Sequence, residues 1–306
     1  MSSFSSDSGN LDLIRAVAVL CVFFAHLQGA FHPNAARATA EWHFAQMGVL
    51  IFFVHTSFVL MLSLERTKLS GRRLFGAFYI RRMFRLYPLS MFCVTVAMIV
   101  SRLGASKGAY QYSWFDYLTN MALVTTEADT WPMVGGLWTL PIEVQMYVTL
   151  PLLFLLGRSR PLRFLFLLWM ASIPVAILEQ HRQGRLDVLA YVPCFVAGVI
   201  GWRLTLLFGR RLPGWMWPAA FVCTWPVFFA ATHENDMYYR WAFSLVLGLL
   251  IPWFQEITFE PLRVAARYVA KYSYAIYLSH IGLIQFSFDL PVAAAARWIV
   301  FVLLVV

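Results

Sequence analysis

The stretch Leu11-Asp12-Leu13-Ile14-Arg15-Ala16-Val17-Ala18-Val19-Leu20-Cys21-Val22-Phe23-Phe24-Ala25-His26-Leu27 decides the reading of this chain. It is apolar along most of its length, as a membrane-crossing helix of about 20 residues must be, yet it holds an arginine and a histidine. Ionisable groups at such depth cost free energy in lipid and are kept where they face a bundle interior or a wet cavity. Arg15 and His26 are 11 residues apart. At about 100° per residue that interval returns to nearly the same helix face, roughly 16 Å along the axis. One face therefore carries a cation near one membrane surface and a titratable base near the other. The pattern suggests a polar path through a membrane protein, with chemistry at its far end.

The rest of the composition agrees. Of 306 residues, 60% are hydrophobic and 13% charged, and the mean hydropathy is +0.67; a soluble domain carries about 25% charge. The apolar runs are long and do not alternate, which points to an all-α bundle of transmembrane helices rather than a barrel. About ten spans are expected, near 11–30, 46–64, 87–104, 137–157, 162–179, 186–208, 213–232, 237–255, 272–290 and 292–306. The last is short of the usual crossing length, and 115–125 reads as a lumenal or interfacial helix. Lys and Arg in the intervening loops divide 16 to 7 between the two sides, with Arg15 inside a span. By the positive-inside rule both termini are expected to be cytoplasmic. The net charge of +9 is thus a topology signal, and nucleic-acid binding is a poor reading of it. Met1 to Asn10 has no Lys or Arg, so it lacks the basic start of a signal peptide, and the first span is expected to stay in the mature protein. Cys21, Cys93, Cys194 and Cys223 all fall in apolar spans. Their spacing fits neither a disulfide framework nor a metal site. With no repeat or linker evident, residues 1–306 read as one transmembrane domain without a fused extracytoplasmic one.

Three further stretches hold polar residues where lipid should exclude them. Arg81-Arg82-Met83-Phe84-Arg85-Leu86-Tyr87-Pro88 would present a guanidinium cluster at the cytoplasmic mouth of the third span. Guanidinium forks suit bidentate phosphate binding, although anchoring to anionic lipid explains many such clusters. Pro88 would open the span, where a missing N–H costs nothing. Gly135-Gly136-Leu137-Trp138-Thr139-Leu140-Pro141-Ile142-Glu143-Val144-Gln145-Met146-Tyr147 enters the fourth span from the outside. Glu143 would then lie roughly 9 Å below the outer edge, sharing a face with Tyr147, and the diglycine would let the backbone bend around a ligand. Ser273-Tyr274-Ala275-Ile276-Tyr277-Leu278-Ser279-His280 carries a mid-span histidine, as the second span does at His55; such residues are more often satisfied core groups than catalysts. On this topology His26 and Glu143 fall in the outer half of the bilayer, and Arg15, Arg82 and Arg85 at or near the inner face.

These segments together resemble the acyltransferase-3 family of bacterial inner-membrane O-acyltransferases. The first span resembles the family's L-D-x-x-R-A-x-A-V-x-x-V-x-x-x-H segment, with Arg15 and His26 at its signature positions. Arg82 to Arg85 sits where the family has R-x-x-R. Gly48-Val49-Leu50-Ile51-Phe52-Phe53-Val54 resembles G-V-x-x-F-F-V, although Thr56-Ser57-Phe58 replaces the usual S-G-F. Trp138 to Tyr147 resembles W-S-L-x-x-E-x-x-F-Y, and Ser273 to His280 resembles S-Y-x-x-Y-L-x-H, with Ile281-Gly282 where a proline is usual. The resemblance implies an enzyme that moves an acyl group, often acetyl, from cytoplasmic acyl-CoA to a hydroxyl of an extracytoplasmic carbohydrate or glycolipid. It implies no permanently bound cofactor and no metal. Arg82, Arg85 and Arg81 would bind the CoA phosphates, and His26, Glu143 and Arg15 would form the catalytic set. His26 would act as general base, through direct transfer or an acyl-histidine, and Glu143 would orient His26 or position the acceptor. Trp138, Tyr147 and His280 would contact the acceptor. The rival readings are a lipid or glycolipid flippase, which needs no base near the outer face, and a non-catalytic membrane sensor.

Overall fold

The computed structural model describes residues 8–31, 40–103, 111–183, 188–209, 212–230, 237–290 and 292–305. It is an all-α bundle; among the described residues the one β feature is an isolated bridge between Leu212 and Phe254. The helices are α1 (Gly9–Phe31), α2 (Ala40–Arg66), α3 (Gly71–Arg102), α4 (Trp114–Ala122), α5 (Thr139–Ser159), α6 (Leu162–Gln183) and α7 (Val188–Leu207). Then come α8 (Trp217–Val222), α9 (Trp225–Phe229), α10 (Met237–Leu250), α11 (Glu260–Phe288) and α12 (Ala294–Val305). Among the described residues six helices are long and apolar enough to cross a membrane: α1, α2, α3, α5 with the turn before it, α6 and α7. Of the loop cations that set the expected orientation, Arg37, Lys107, Arg185, Arg210 and Arg211 lie outside the described residues.

The ten expected spans thus need correction in particular places. The segment 213–232 is not one helix but a 3-10 turn and two short helices, each with proline in its first turn. Pro218 and Pro226 lack the N–H that would continue the preceding turn. The α10 helix has 14 residues and α12 has 12, too few to cross alone. In the other direction, α3 starts at Gly71 rather than near residue 87, and Pro88 lies inside it. Proline cannot donate to the carbonyl four residues back, and next to it the Leu86 carbonyl accepts from Tyr274 Oη at 2.6 Å. The short helix expected at 115–125 is α4, which opens on a capping box between Ser113 and Asp116. Its exposed Trp114, Phe115 and Leu118 stand opposite the buried Asn120, which donates to the Trp131 carbonyl and accepts from Met133 N–H.

The core is built on α2 and α7, whose side chains are mostly buried, with α1, α5, α6 and α10 packed against them and α11 packed against α1. Small residues let these backbones approach, as membrane bundles require; a Cβ on Gly48 would lie 2.5 Å from the Ala18 carbonyl oxygen. At the end of the bundle holding the α1 N-terminus, Asn10 donates to the Gln255 carbonyl at 2.9 Å and accepts from Ile257 N–H at 3.0 Å. This ties α1 to the segment leading into α11, and the two helices then run side by side to the opposite, distal end.

Candidate active site

Two polar centres lie along α1 and α11. The first is a cavity of about 80 Å³. Arg15 comes to it from α1, His55 from α2, Arg82 and Arg85 from α3, Glu143 and Tyr147 from α5, and Tyr274 and Tyr277 from α11. The spacing of Arg82 and Arg85 puts both on one face of α3, as residues three apart must be. Glu143 faces Arg85, Arg82 and Arg15. It also accepts a hydrogen bond from Tyr147 Oη, one turn further along α5. Arg82 donates in turn to the Tyr147 hydroxyl oxygen, yet its Nε is buried and has no hydrogen-bond partner among the described residues. Three guanidiniums against one carboxylate leave the cavity with an excess of positive charge. Arg85 is exposed, so the cavity is open on the α3 side.

The second centre is a histidine pair nearer the distal end. His26 Nδ1 lies 2.8 Å from the Val22 carbonyl oxygen and 3.3 Å from His280 Nε2. His280 Nδ1 lies 2.8 Å from the Tyr277 carbonyl oxygen and 3.1 Å from that of Ile276. The rings meet edge to face with centroids 5.0 Å apart. Phe23, Ile284 and Phe301 form the apolar cluster beside them.

The structure therefore regroups the residues singled out from sequence. Arg15, Arg82, Arg85, Glu143 and Tyr147 come together, and His26 stands apart with His280. Glu143 was expected at the depth of His26. Instead the 3-10 turn Gly135–Trp138 carries the chain inward before α5 begins, with Gly136 and Leu137 buried, so Glu143 starts deeper and meets the arginines. The diglycine serves this descent rather than a ligand: a Cβ on Gly136 would lie 2.7 Å from the Tyr277 carbonyl oxygen. Arg81 does not join the cavity. It is exposed, and its guanidinium donates to Thr67 Oγ1 at 3.4 Å. Trp138 packs on Tyr191 of α7, centroids 6.1 Å apart, and is not in the cavity wall. His280 is buried at 2% exposure with both ring nitrogens directed at protein groups, a different setting from the acceptor contact expected of it. His55, read from sequence as a core histidine, is buried and also lines the cavity. The signal was its place on one helical face with Phe52, Thr56 and Val59, all of which line the same space.

Comparison with known proteins fixes the family. The acyltransferase domain model of the acyltransferase-3 family matches residues 8–306, and the chain belongs to that family. It is 24% identical over 201 residues to Nodulation protein 10 of Rhizobium leguminosarum bv. viciae, covering 58% of this chain and 52% of that protein. It is 29% identical over 168 residues to the acyltransferase MdmB of Streptomyces mycarofaciens, covering 52% of this chain and 42% of that protein. The matches thus span about half the length of these curated relatives. No solved structure matches significantly.

Proposed function

We propose that this chain is a membrane O-acyltransferase that takes an acyl group, acetyl in the simplest case, from cytoplasmic acyl-CoA. The acceptor is a hydroxyl of a carbohydrate or glycolipid on the opposite side of a bacterial inner membrane. The observation that carries this reading is the buried, unpartnered Nε of Arg82 in a cavity where Arg15, Arg82 and Arg85 outnumber Glu143. A buried guanidinium donor without an acceptor is costly, and an anion with planar oxygen geometry relieves that cost through charge-assisted bonds. Arg85 is exposed, so the phosphates of the donor enter the cavity from the α3 side and its adenosine stays at that mouth. The pantetheine arm then runs along α1. Its extended length, on the order of 15–20 Å by ordinary bond lengths, matches the rise from Arg15 to His26.

At the distal end His26 acts as general base. The acceptor oxygen attacks the thioester carbonyl, its proton passes to His26, the carbon–sulfur bond breaks, and the CoA thiolate takes a proton to leave as the thiol. Arg15 and Glu143 act on the donor side, where Glu143 holds the guanidiniums in place. The N-terminus is cytoplasmic in this reading, and the α2–α3 loop faces the donor. The test is sidedness in proteoliposomes of defined orientation. Radiolabelled acetyl-CoA supplied only on the α2–α3 face should label glycan enclosed on the other side. Labelling that needs both substrates on one face would overturn the transmembrane layout. Glycolipid movement without labelling would turn the reading to a flippase.

A further inference from the structure

The histidine pair admits two proton arrangements, and its surroundings decide between them. We infer that His280 is a positioning residue that, together with the Val22 carbonyl, holds His26 in the Nδ1–H tautomer, so that Nε2 is the basic nitrogen of the His26 ring. A neutral imidazole has one donor and one acceptor nitrogen, and the hydrogen bonds made by one fix the role of the other. His280 Nδ1 points at two carbonyl oxygens, those of Tyr277 and Ile276. Carbonyl oxygens only accept, so His280 carries its proton on Nδ1 and presents a lone pair at Nε2. That lone pair faces His26 Nδ1 at 3.3 Å, and the same nitrogen faces the Val22 carbonyl at 2.8 Å. A single Nδ1–H on His26, shared between these two acceptors, satisfies both contacts. The reverse arrangement, with His280 Nε2–H donating to His26, would set a lone pair against carbonyl oxygens at both rings.

The consequence is a division of labour that the sequence had placed elsewhere. A catalytic histidine needs a partner that selects its tautomer and aims its ring. Glu143 lies with the arginines and faces Tyr147 instead. His280 takes the orienting part: its own ring is fixed by backbone carbonyls of α11, and it passes that fixation to α1. Packing from Phe23, 6.4 Å from the His280 ring centroid, closes the apolar side.

This inference rests on the proposed role of His26, and one experiment separates the two. The full-length protein, labelled with ¹³C,¹⁵N-histidine in lipid bilayers, is examined by solid-state NMR, where ring shifts report the tautomer. The His26 signals are assigned by their loss in His26→Gln. Nδ1–H at His26 and at His280 is expected in the wild type. His280→Ala leaves the Val22 carbonyl facing His26 Nδ1 and should raise the Nε2–H fraction at His26 above the wild-type level, with kcat for transfer of radiolabelled acetyl from acetyl-CoA to membrane glycans falling about 10–100-fold and KM for acetyl-CoA unchanged. His280→Gln, whose amide oxygen accepts at similar reach, should recover part of both readouts. Nε2–H at His26 in the wild type would overturn the inference outright, with no variant needing to fold, as would an unchanged tautomer in His280→Ala. An Nδ1–H tautomer together with an undiminished rate in His26→Gln would leave the positioning intact and remove the base role.

Discussion

The arginine cavity and the histidine pair share two helices and handle polarity in opposite ways. In the cavity, charge is left over: three guanidiniums meet one carboxylate, one buried donor has no partner, and Arg85 is exposed. In the pair, the Nδ1 of each ring faces a backbone carbonyl and the two imidazoles face each other, against Phe23, Ile284 and Phe301. Excess charge with an opening suits the capture of an anion. Neutral rings in an apolar cluster suit a proton transfer, because only a neutral imidazole accepts one. On the proposed function, the difference teaches that binding and proton chemistry need not share a pocket when rigid helices fix the distance between them. Here α1 supplies Arg15 to one centre and His26 to the other. The α11 helix supplies Tyr274 to the cavity and His280 to the pair, while Tyr277 joins both: its ring lines the cavity and its carbonyl accepts from His280.

This separation makes graded predictions. The largest effect is expected at His26, where His26→Ala should lower acetyl transfer from labelled acetyl-CoA by about 10²–10⁴-fold, the usual worth of a general base, without changing acetyl-CoA affinity. A parallel loss of affinity would merge the two centres. Next comes Glu143→Gln, which keeps an acceptor for Tyr147 Oη but removes the negative charge facing the arginines. Breaking an enclosed ion pair costs about 3–5 kcal/mol; with Arg85 exposed, a smaller fall in stability is expected, read as a lower Tm in detergent. Acetyl-CoA binding should be equal or tighter, because the excess positive charge grows, and a loss of affinity would make Glu143 a ligand-contacting group. Third is Arg82→Ala, which should weaken acetyl-CoA binding about 10–100-fold by calorimetry, at about 1.5–3 kcal/mol for a hydrogen bond to a charged group. Arg82→Lys should recover only part, because an ammonium lacks the fork. Arg81→Ala should change little, since Arg81 reaches Thr67 instead.

How far the sequence could anticipate this depends on which interactions are local. The helical class and the apolar spans were legible because hydropathy is additive along the chain. The break at 213–232 was less so: Pro218 and Pro226 are visible, but proline is also tolerated inside membrane helices, as Pro88 in α3 and Pro151 in α5 are. The shared face of Arg82 and Arg85 follows from helical period alone, as does that of Glu143 and Tyr147. What joined Glu143 to the arginines was the buried turn Gly135–Trp138, a tertiary descent against Tyr277 that no periodicity encodes. The His26–His280 contact spans 254 residues and depends on α1 and α11 lying side by side. That pairing is pinned by Asn10 at the far end of both helices, a polar residue just outside the first expected span.

The smallest expected effect is the sharpest test of whether the centres are separate. Tyr277 Oη and Thr139 Oγ1 are 2.9 Å apart, which links the start of α5 to α11 between the two centres. Tyr277→Phe removes this bond but keeps the ring in the cavity wall and the backbone carbonyl that accepts from His280. A neutral hydrogen bond is worth about 0.5–1.5 kcal/mol net, and Thr139 also donates to the Gly136 carbonyl at 3.3 Å, so its hydroxyl is not stranded. The expected outcome is a Tm lower by a few degrees and an acetyl-transfer rate within about threefold of the wild type, with the His26 tautomer unchanged. Thr139→Val should behave alike, and the double variant should cost no more than the larger single one, because both remove the same bond. A rate loss in Tyr277→Phe as large as that in His26→Ala would mean that the hydroxyl takes part in proton transfer. The cavity and the histidine pair would then be two ends of one hydrogen-bonded site rather than two centres held apart.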